Sequence, residues 1–201
     1  EEDEVDGVKL LRHKVSSNGI IYLNAYFRLT DVSAENLTKL ALLGKLLGKL
    51  PTAAHSAAEL QNEVKTWLGE LNFGVEVFAK TDDRKSCTPM LVASCSVLQE
   101  NLPKAEALVC EILTSTDFAQ AERIREILLQ AEMEAQQRGM MGGHMLAFKS
   151  VGAHFSAAAA VQEATSGISY IQFLHKLSRE FEAEIPSFTQ QIGRASCRER
   201  V

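Results

Sequence analysis

Two hydrophobic periods succeed one another along this chain, and their order constrains the fold more than any single residue does. Between Gly19 and Leu29, the apolar residues Ile21, Leu23, Ala25, Phe27 and Leu29 fall on one face, with Asn24 and Arg28 on the other. A period of two is that of a half-buried strand. Ser17-Asn18-Gly19 supplies turn chemistry before it and residues 8–15 supply a partner. The simplest expectation is a hairpin through Asn18-Gly19.

The period then lengthens. Leu37, Leu40, Ala41, Leu43, Leu46, Leu47 and Leu50 recur at helical spacing between Ser33, an N-cap residue, and Pro51, a stop. Ser56 followed by Glu59 makes a capping-box pattern. It predicts a second helix carrying Leu60, Val64, Trp67 and Leu68, closed by Gly69, with Trp67 as a core anchor. Alternation returns at Leu71, Phe73, Val75 and Val77. After the turn Asp82-Asp83-Arg84-Lys85 it resumes at Leu91, Ala93, Cys95 and Val97, which predicts a hairpin with its apolar faces aligned. Beyond Asn101 and Pro103 the chain reads as helical almost to its end, with Leu108, Ile112, Ile124, Ile127, Leu128 and Met133 as the inward stripe. Two strands, two helices, two strands and a run of helices predict an α+β domain, its helices packed on one face of an antiparallel sheet. The other face of such a sheet is free to meet a partner domain or an enclosed cavity.

The two ends read differently from the body. The last ten residues, Ile192-Gly193-Arg194-Ala195-Ser196-Cys197-Arg198-Glu199-Arg200-Val201, match one frame of a common sequencing adapter, and the chain starts at Glu1 rather than Met. Residues 192–201 are therefore read as a translation artefact and the body as an internal slice of a longer product; the other reading is a genuine basic tail. The tail holds three Arg and one Glu, so the 21 basic and 26 acidic residues of the chain become 18 and 25, a net charge of −7. That balance, with no basic stripe, argues against non-specific nucleic-acid binding. No apolar run reaches the roughly 20 residues that span a bilayer, so no membrane partner is expected. Residues 1–6, acidic at every position but Val5, read as the end of a solvated acidic linker. Without the tail, Cys87, Cys95 and Cys110 remain, an odd number with no C-x-x-C. This points to a reducing, cytosol-like compartment, with Cys95 and Cys110 as buried small hydrophobes.

The search for chemistry yields no catalytic or metal residue. A zinc hydrolase needs paired His on one helix face with a carboxylate. His13, His55, His144, His154 and His175 offer no such pair. Gly-x-Ser-x-Gly is absent, and no base accompanies Cys95 or Cys110. Arg138-Gly139-Met140-Met141-Gly142-Gly143-His144 lacks the ending of a phosphate loop and reads as a helix break. Ala157 to Ala160, followed by Gly167, read as a tight helix-to-helix corner.

An ordered series of segments carries a family resemblance: Asn18-Gly19-Ile20-Ile21-Tyr22, Leu46-Leu47-Gly48-Lys49-Leu50, Gly143-His144-Met145-Leu146-Ala147, Ser156-Ala157-Ala158-Ala159-Ala160, Glu163, and Ser166-Gly167-Ile168-Ser169-Tyr170-Ile171-Gln172-Phe173-Leu174. Together they resemble one region of the presequence proteases, members of the pitrilysin/insulinase group of zinc metallopeptidases, over nearly all of residues 5–191. The resemblance implies two halves joined by a helical hairpin and closing around a chamber for short unfolded peptides. It implies zinc on an inverted His-x-x-Glu-His motif in the first domain and an Arg/Tyr pair in the last; none of these residues maps onto a position here. Residues 7–191 would be the third, non-catalytic, chamber-forming domain, truncated at its C-terminal strands and left with an exposed sheet edge. Cofactor zinc would belong to the parent alone. Its partners would be the remaining domains of the same polypeptide and the unfolded peptides they degrade. The alternatives are a binding or structural module of a catalytically inactive relative and, lacking any local support, an independent thiol or serine hydrolase.

Overall fold

The computed structural model describes residues 1–29, 32–186 and 188–189; the adapter-like tail, residues 192–201, lies outside them. The chain opens with strands β1 (Glu2–Val5) and β2 (Val8–Leu11), an antiparallel pair in the register Val5↔Val8 and Glu2↔Leu11. Asp6 and Gly7 form its turn with φ of 52° and 80°, the left-handed conformations a two-residue hairpin turn needs and Asp-Gly supplies. The acidic start is solvated, as read, but it is a strand rather than an irregular linker. Exposed ion pairs Lys9–Glu2 (2.9 Å) and Lys14–Glu1 (2.8 Å) join it to the residues that follow, each worth little in water.

The hairpin through Asn18-Gly19 does not form. Its turn does: both residues take positive φ and the Ile20 amide donates to the Ser17 carbonyl at 3.1 Å. The strand it launches, β3 (Ile20–Arg28), instead pairs with a strand some seventy residues later. Strands β4 (Leu68–Ala79) and β5 (Cys87–Leu98) make the predicted hairpin, and the sheet order is β3-β5-β4, antiparallel throughout. The registers run Leu23↔Cys95↔Leu71, Ala25↔Ala93↔Phe73 and Phe27↔Leu91↔Val75. Every apolar face meets another, whereas β2 faces solvent and offers β3 nothing to bury.

Helix α1 (Ala34–Leu46) starts at Ser33, whose hydroxyl accepts from the Asn36 amide. It stops one turn earlier than the leucine spacing predicts, because Gly48 (φ +75°) reverses the chain. The Lys49 and Leu50 amides still bond to the Leu46 carbonyl, so Leu47 and Leu50 stay buried outside the helix. Helix α2 (Ala57–Trp67) carries the full capping box between Ser56 and Glu59. It passes straight into β4: Gly69 does not close the helix but sits at a shift in strand register, where a Cβ would lie 2.8 Å from the Ser96 hydroxyl. Trp67 is half-buried against the core, donating to Glu63 at 2.9 Å with the Lys104 ammonium over its ring.

After a 3-10 turn come α3 (Leu102–Ser115), α4 (Ala121–Met141), α5 (Gly143–Gly152), α6 (Ala157–Ser166) and α7 (Ile168–Arg179). Leu42, Leu46, Leu50, Leu60, Ile112, Ile124, Leu128 and Leu174 are fully buried between sheet and helices, each contributing about 1.5–3 kcal/mol of transfer free energy. The α+β class with an antiparallel sheet and packed helices is thus present. Two expectations fail. Met133 is exposed, since it lies about 200° around α4 from Ala131 on the buried row Ile124, Ile127, Leu128, Ala131 and Ala135. Cys110 is exposed too, while Cys95 is buried in the central strand. The breaks at Gly142 and Gly167 are as read. No helix among the described residues is long and apolar enough to cross a membrane.

Candidate functional site

The surface most open to a ligand is the sheet face turned away from the helices. Alternation along β3 directs Tyr22, Asn24, Tyr26 and Arg28 to that side, and the register sets them in rows with Ser96 and Glu70, Ser94 and Asn72, Val92 and Gly74, and Met90 and Glu76. Tyr26 and Phe78 meet edge to face, ring centroids 5.7 Å apart. Val92, between Tyr26 and Gly74, is nevertheless buried. Tyr22 is two-thirds exposed. Aromatic faces interleaved with amides, hydroxyls and single charges can hold an extended chain by stacking and hydrogen bonding. They supply no paired acid and base.

The titratable clusters lie elsewhere. Thr52 and His55, in the loop between α1 and α2, reach Glu111 on α3. His55 Nδ1 lies 2.8 Å from Glu111 Oε1, the Thr52 hydroxyl donates to the same oxygen, and the His55 amide donates back to Thr52 Oγ1 at 3.0 Å. The bond to Glu111 raises the His55 pKa above its ordinary 6.5, against a desolvation that lowers it, with the charges of Glu111, Glu63 and Glu59 adding to the rise. Burial works to raise Glu111, but hydrogen bonds from Thr52 and His55 and the imidazolium charge hold its pKa below 4.5. Backbone bonds run alongside, Ala53 to Ser115 at 3.1 Å and Asp117 to Pro51 at 2.9 Å. The Thr52 hydroxyl is spent on the carboxylate rather than poised on the imidazole, so the group is a clasp and not a nucleophile–base pair. His175 likewise pairs with Glu132 at 2.7 Å.

The other residues considered from sequence are dispersed. His13, His144 and His154 are exposed on separate segments. Burial raises the thiol pKa of both Cys87 and Cys95, which disfavours the thiolate. Among the described residues no group of three or more His, Cys, Asp or Glu is gathered as a metal would require. The two histidine–carboxylate pairs contribute two donors each, short of the three protein ligands of a catalytic zinc site. The donor set of this chain therefore does not fit zinc.

Several residues that carry the family resemblance have structural work. Ser156 caps α6, accepting from the Ala159 amide at 3.1 Å. Glu163 folds over the start of α7, its Oε1 accepting from the Ser169 amide at 3.0 Å, where a carboxylate complements the helix dipole. Gly167 makes room for it: a Cβ there would overlap the Glu163 carboxylate. Tyr170 is buried beneath α4, and burial pushes its hydroxyl pKa up to about 12, so it stays neutral. Neither the Glu163 cap nor the His55–Glu111 clasp was anticipated. The first had a local signal, a carboxylate a few residues before a Gly helix break; the second, spanning 56 residues, had none.

Comparison with known proteins agrees with this architecture. A conserved protein from Enterococcus faecalis V583 of known crystal structure superposes with a TM-score of 0.52 at 16% identity, over 79% of this chain and 41% of that one, which shows the fold alone. Protein HypA of Clostridium perfringens is 30% identical over 180 residues, 90% of this chain and 18% of the relative. Presequence protease 1, chloroplastic/mitochondrial, of Arabidopsis thaliana is 24% identical over 97% of this chain and 18% of its own length. The mitochondrial presequence protease of Saccharomyces cerevisiae is 26% identical over 80% and 16%. The chain thus spans less than a fifth of the length of these curated relatives. The model of the family described as associated with the subfamily C peptidases of metallopeptidase family 16 matches residues 1–177, and the chain belongs to that peptidase-associated family.

Proposed function

We propose that this chain is a non-catalytic, chamber-forming part of a zinc metalloendopeptidase that degrades short unfolded peptides, with the pitrilysin/insulinase type of domain as its fold. The observation that carries the reading is the family match over residues 1–177, together with relatives named presequence protease of which the matched stretch is under a fifth. The donor set supports it, since the residues present fit no zinc site. Zinc, bound by other domains of the parent, would polarise the scissile carbonyl and activate water there.

The part played by this chain is positional. The open face of β3-β5-β4 supplies wall, with Tyr22, Tyr26 and Phe78 as stacking surface and Asn24, Asn72 and Glu76 as polar contacts for an extended peptide. A wall of mixed aromatic and polar groups holds peptides with little sequence preference, and enclosure excludes folded proteins by size. The remaining domains of the same polypeptide complete the chamber. The test compares the 201-residue chain with the full polypeptide of its gene, assaying bound zinc and cleavage of an unfolded fluorogenic peptide. The full polypeptide is expected to bind zinc and cleave, and the chain alone to do neither. Chelator-sensitive cleavage by the chain alone overturns the proposal; a full polypeptide that binds no zinc replaces it with an inactive binding relative.

A further inference from the structure

Helix α5 is amphipathic the wrong way round for an isolated domain. Its half-buried positions are Leu146, Lys149, Ser150 and Gly152. Lys149 is tied down, its ammonium donating to the Ser166 hydroxyl at 2.8 Å, and a Cβ on Gly152 would touch that of Ala159 at 3.4 Å. Its outward row, Met145, Phe148 and Val151, is 54%, 73% and 58% exposed, and Met140 and Met141 before it and Phe155 after it are more than 70% exposed. A run of this size in solvent marks a surface meant to be covered.

The charge around it is equally particular. The chain has 26 acidic residues, yet none between Glu134 and Glu163. Arg138, Lys149, His144 and His154 are the only ionisable side chains on that stretch. An apolar centre without carboxylates and with a cationic rim fits an apolar surface rimmed by carboxylates. A second copy of this chain docking through the same face would set Arg138 and both histidines against their own kind. Anionic lipid is a poorer fit, because Lys149 is spent on Ser166 and Arg138 is the one remaining permanent cation of the stretch. The neighbouring methionines Met140, Met141 and Met145 suit a surface that packs against a shaped partner.

We propose that the α5 face, centred on Phe148 with Met145, Val151 and Phe155, is a seam against another domain of the same polypeptide, one presenting apolar surface ringed by Asp and Glu. The proposal rests on the reading of this chain as part of a longer polypeptide, and on relatives in which over four-fifths of the residues lie outside the matched stretch. The experiment introduces p-benzoylphenylalanine at Phe148, and separately at Met145, in the full polypeptide of the parent gene; both side chains are exposed, so folding is undisturbed. Illumination and peptide mapping are expected to give an adduct of monomer mass, joined to a segment outside these 201 residues and flanked by acidic residues. An adduct of dimer mass, transfer of the label to anionic phosphatidylserine vesicles, no adduct at either position, or a reading frame that ends with this chain would each overturn it. The cross-link is scored whether or not the polypeptide cleaves peptide, so loss of the peptidase reading and loss of the seam are separate results.

Discussion

Helices α1 and α5 are both rich in large apolar residues, and they place them oppositely. Leu42, Leu43, Leu46 and, just beyond the helix, Leu50 lie under the sheet at 3% exposure or less, while Met145, Phe148 and Val151 lie in water. Packing on the inner side explains the difference. Gly44 brings α1 so close to β4 that a Cβ would sit 2.7 Å from the Phe73 carbonyl oxygen, and the leucines on either side close over the strand. On α5 the close approach, through Gly152 to Ala159, is made by the small-residue side, which leaves the large residues outward. Hydrophobic periodicity is therefore a statement about a face; which neighbour takes that face depends on where the small residues are.

The comparison breaks first at α1. Leu46→Ala removes a fully buried side chain from the middle of the core and is expected to cost about 2–5 kcal/mol, read as a fall in the urea midpoint. Gly44→Ala adds one carbon against backbone that has no rotamer to yield, and should cost about 1–3 kcal/mol. If Gly44→Ala is neutral, α1 does not pack on β4 at the distance described.

A smaller effect, distinguished by its pH dependence, is expected at the clasp holding the α1–α2 loop to α3. His55 gains a partner on folding, so its pKa in the folded state is raised above 6.5. Its contribution is full below pH 6.5 and is lost as pH rises through the raised value. Glu111 is depressed below 4.5, so its contribution is present above 4.5 and fades as pH falls through the lower value. The destabilisation by His55→Gln should accordingly be greatest between these limits, near about pH 5–6, and shrink at about pH 8–9. Glu59 and Glu63 also face the imidazole and act in the same direction. A mutational effect that grows from about pH 6 to about pH 9 would reverse the assignment.

These elements differ in how far they could be read from sequence. The β4–β5 register was legible because period two continues on both sides of one polar turn, and Leu71 falls opposite Cys95 as the alternation requires. The partner of β3 was not, because alternation names the buried face of a strand but not the strand beside it. The Asp6-Gly7 turn carried the same chemistry as Asn18-Gly19 and was passed over within an acidic run. Cys110 and Met133 sat among apolar neighbours, and only their angle around the helix reveals exposure. The clasp joins residues 56 apart, where no local pattern reaches. The absence of catalytic motifs and the family segments directed attention to packing, and packing is what Ser156, Glu163 and Gly167 do.

The smallest effect is expected where the side chains are large and the contacts few. Phe148→Ser strips an aromatic ring from α5, yet that ring is 73% exposed, so the isolated chain should change by no more than about 0.5 kcal/mol. Leu46→Ala removes less apolar bulk and should cost several times more, because burial rather than size sets the penalty. In the full polypeptide the two should converge: if a neighbouring domain covers α5, Phe148→Ser leaves a hydroxyl and a void in a seam and becomes costly. Urea unfolding of both variants, in the isolated chain and in the full polypeptide, reads this directly. Equal, negligible costs for Phe148→Ser in the two contexts would mean that α5 stays in water in the complete protein, and would remove the physical reason for its inverted face.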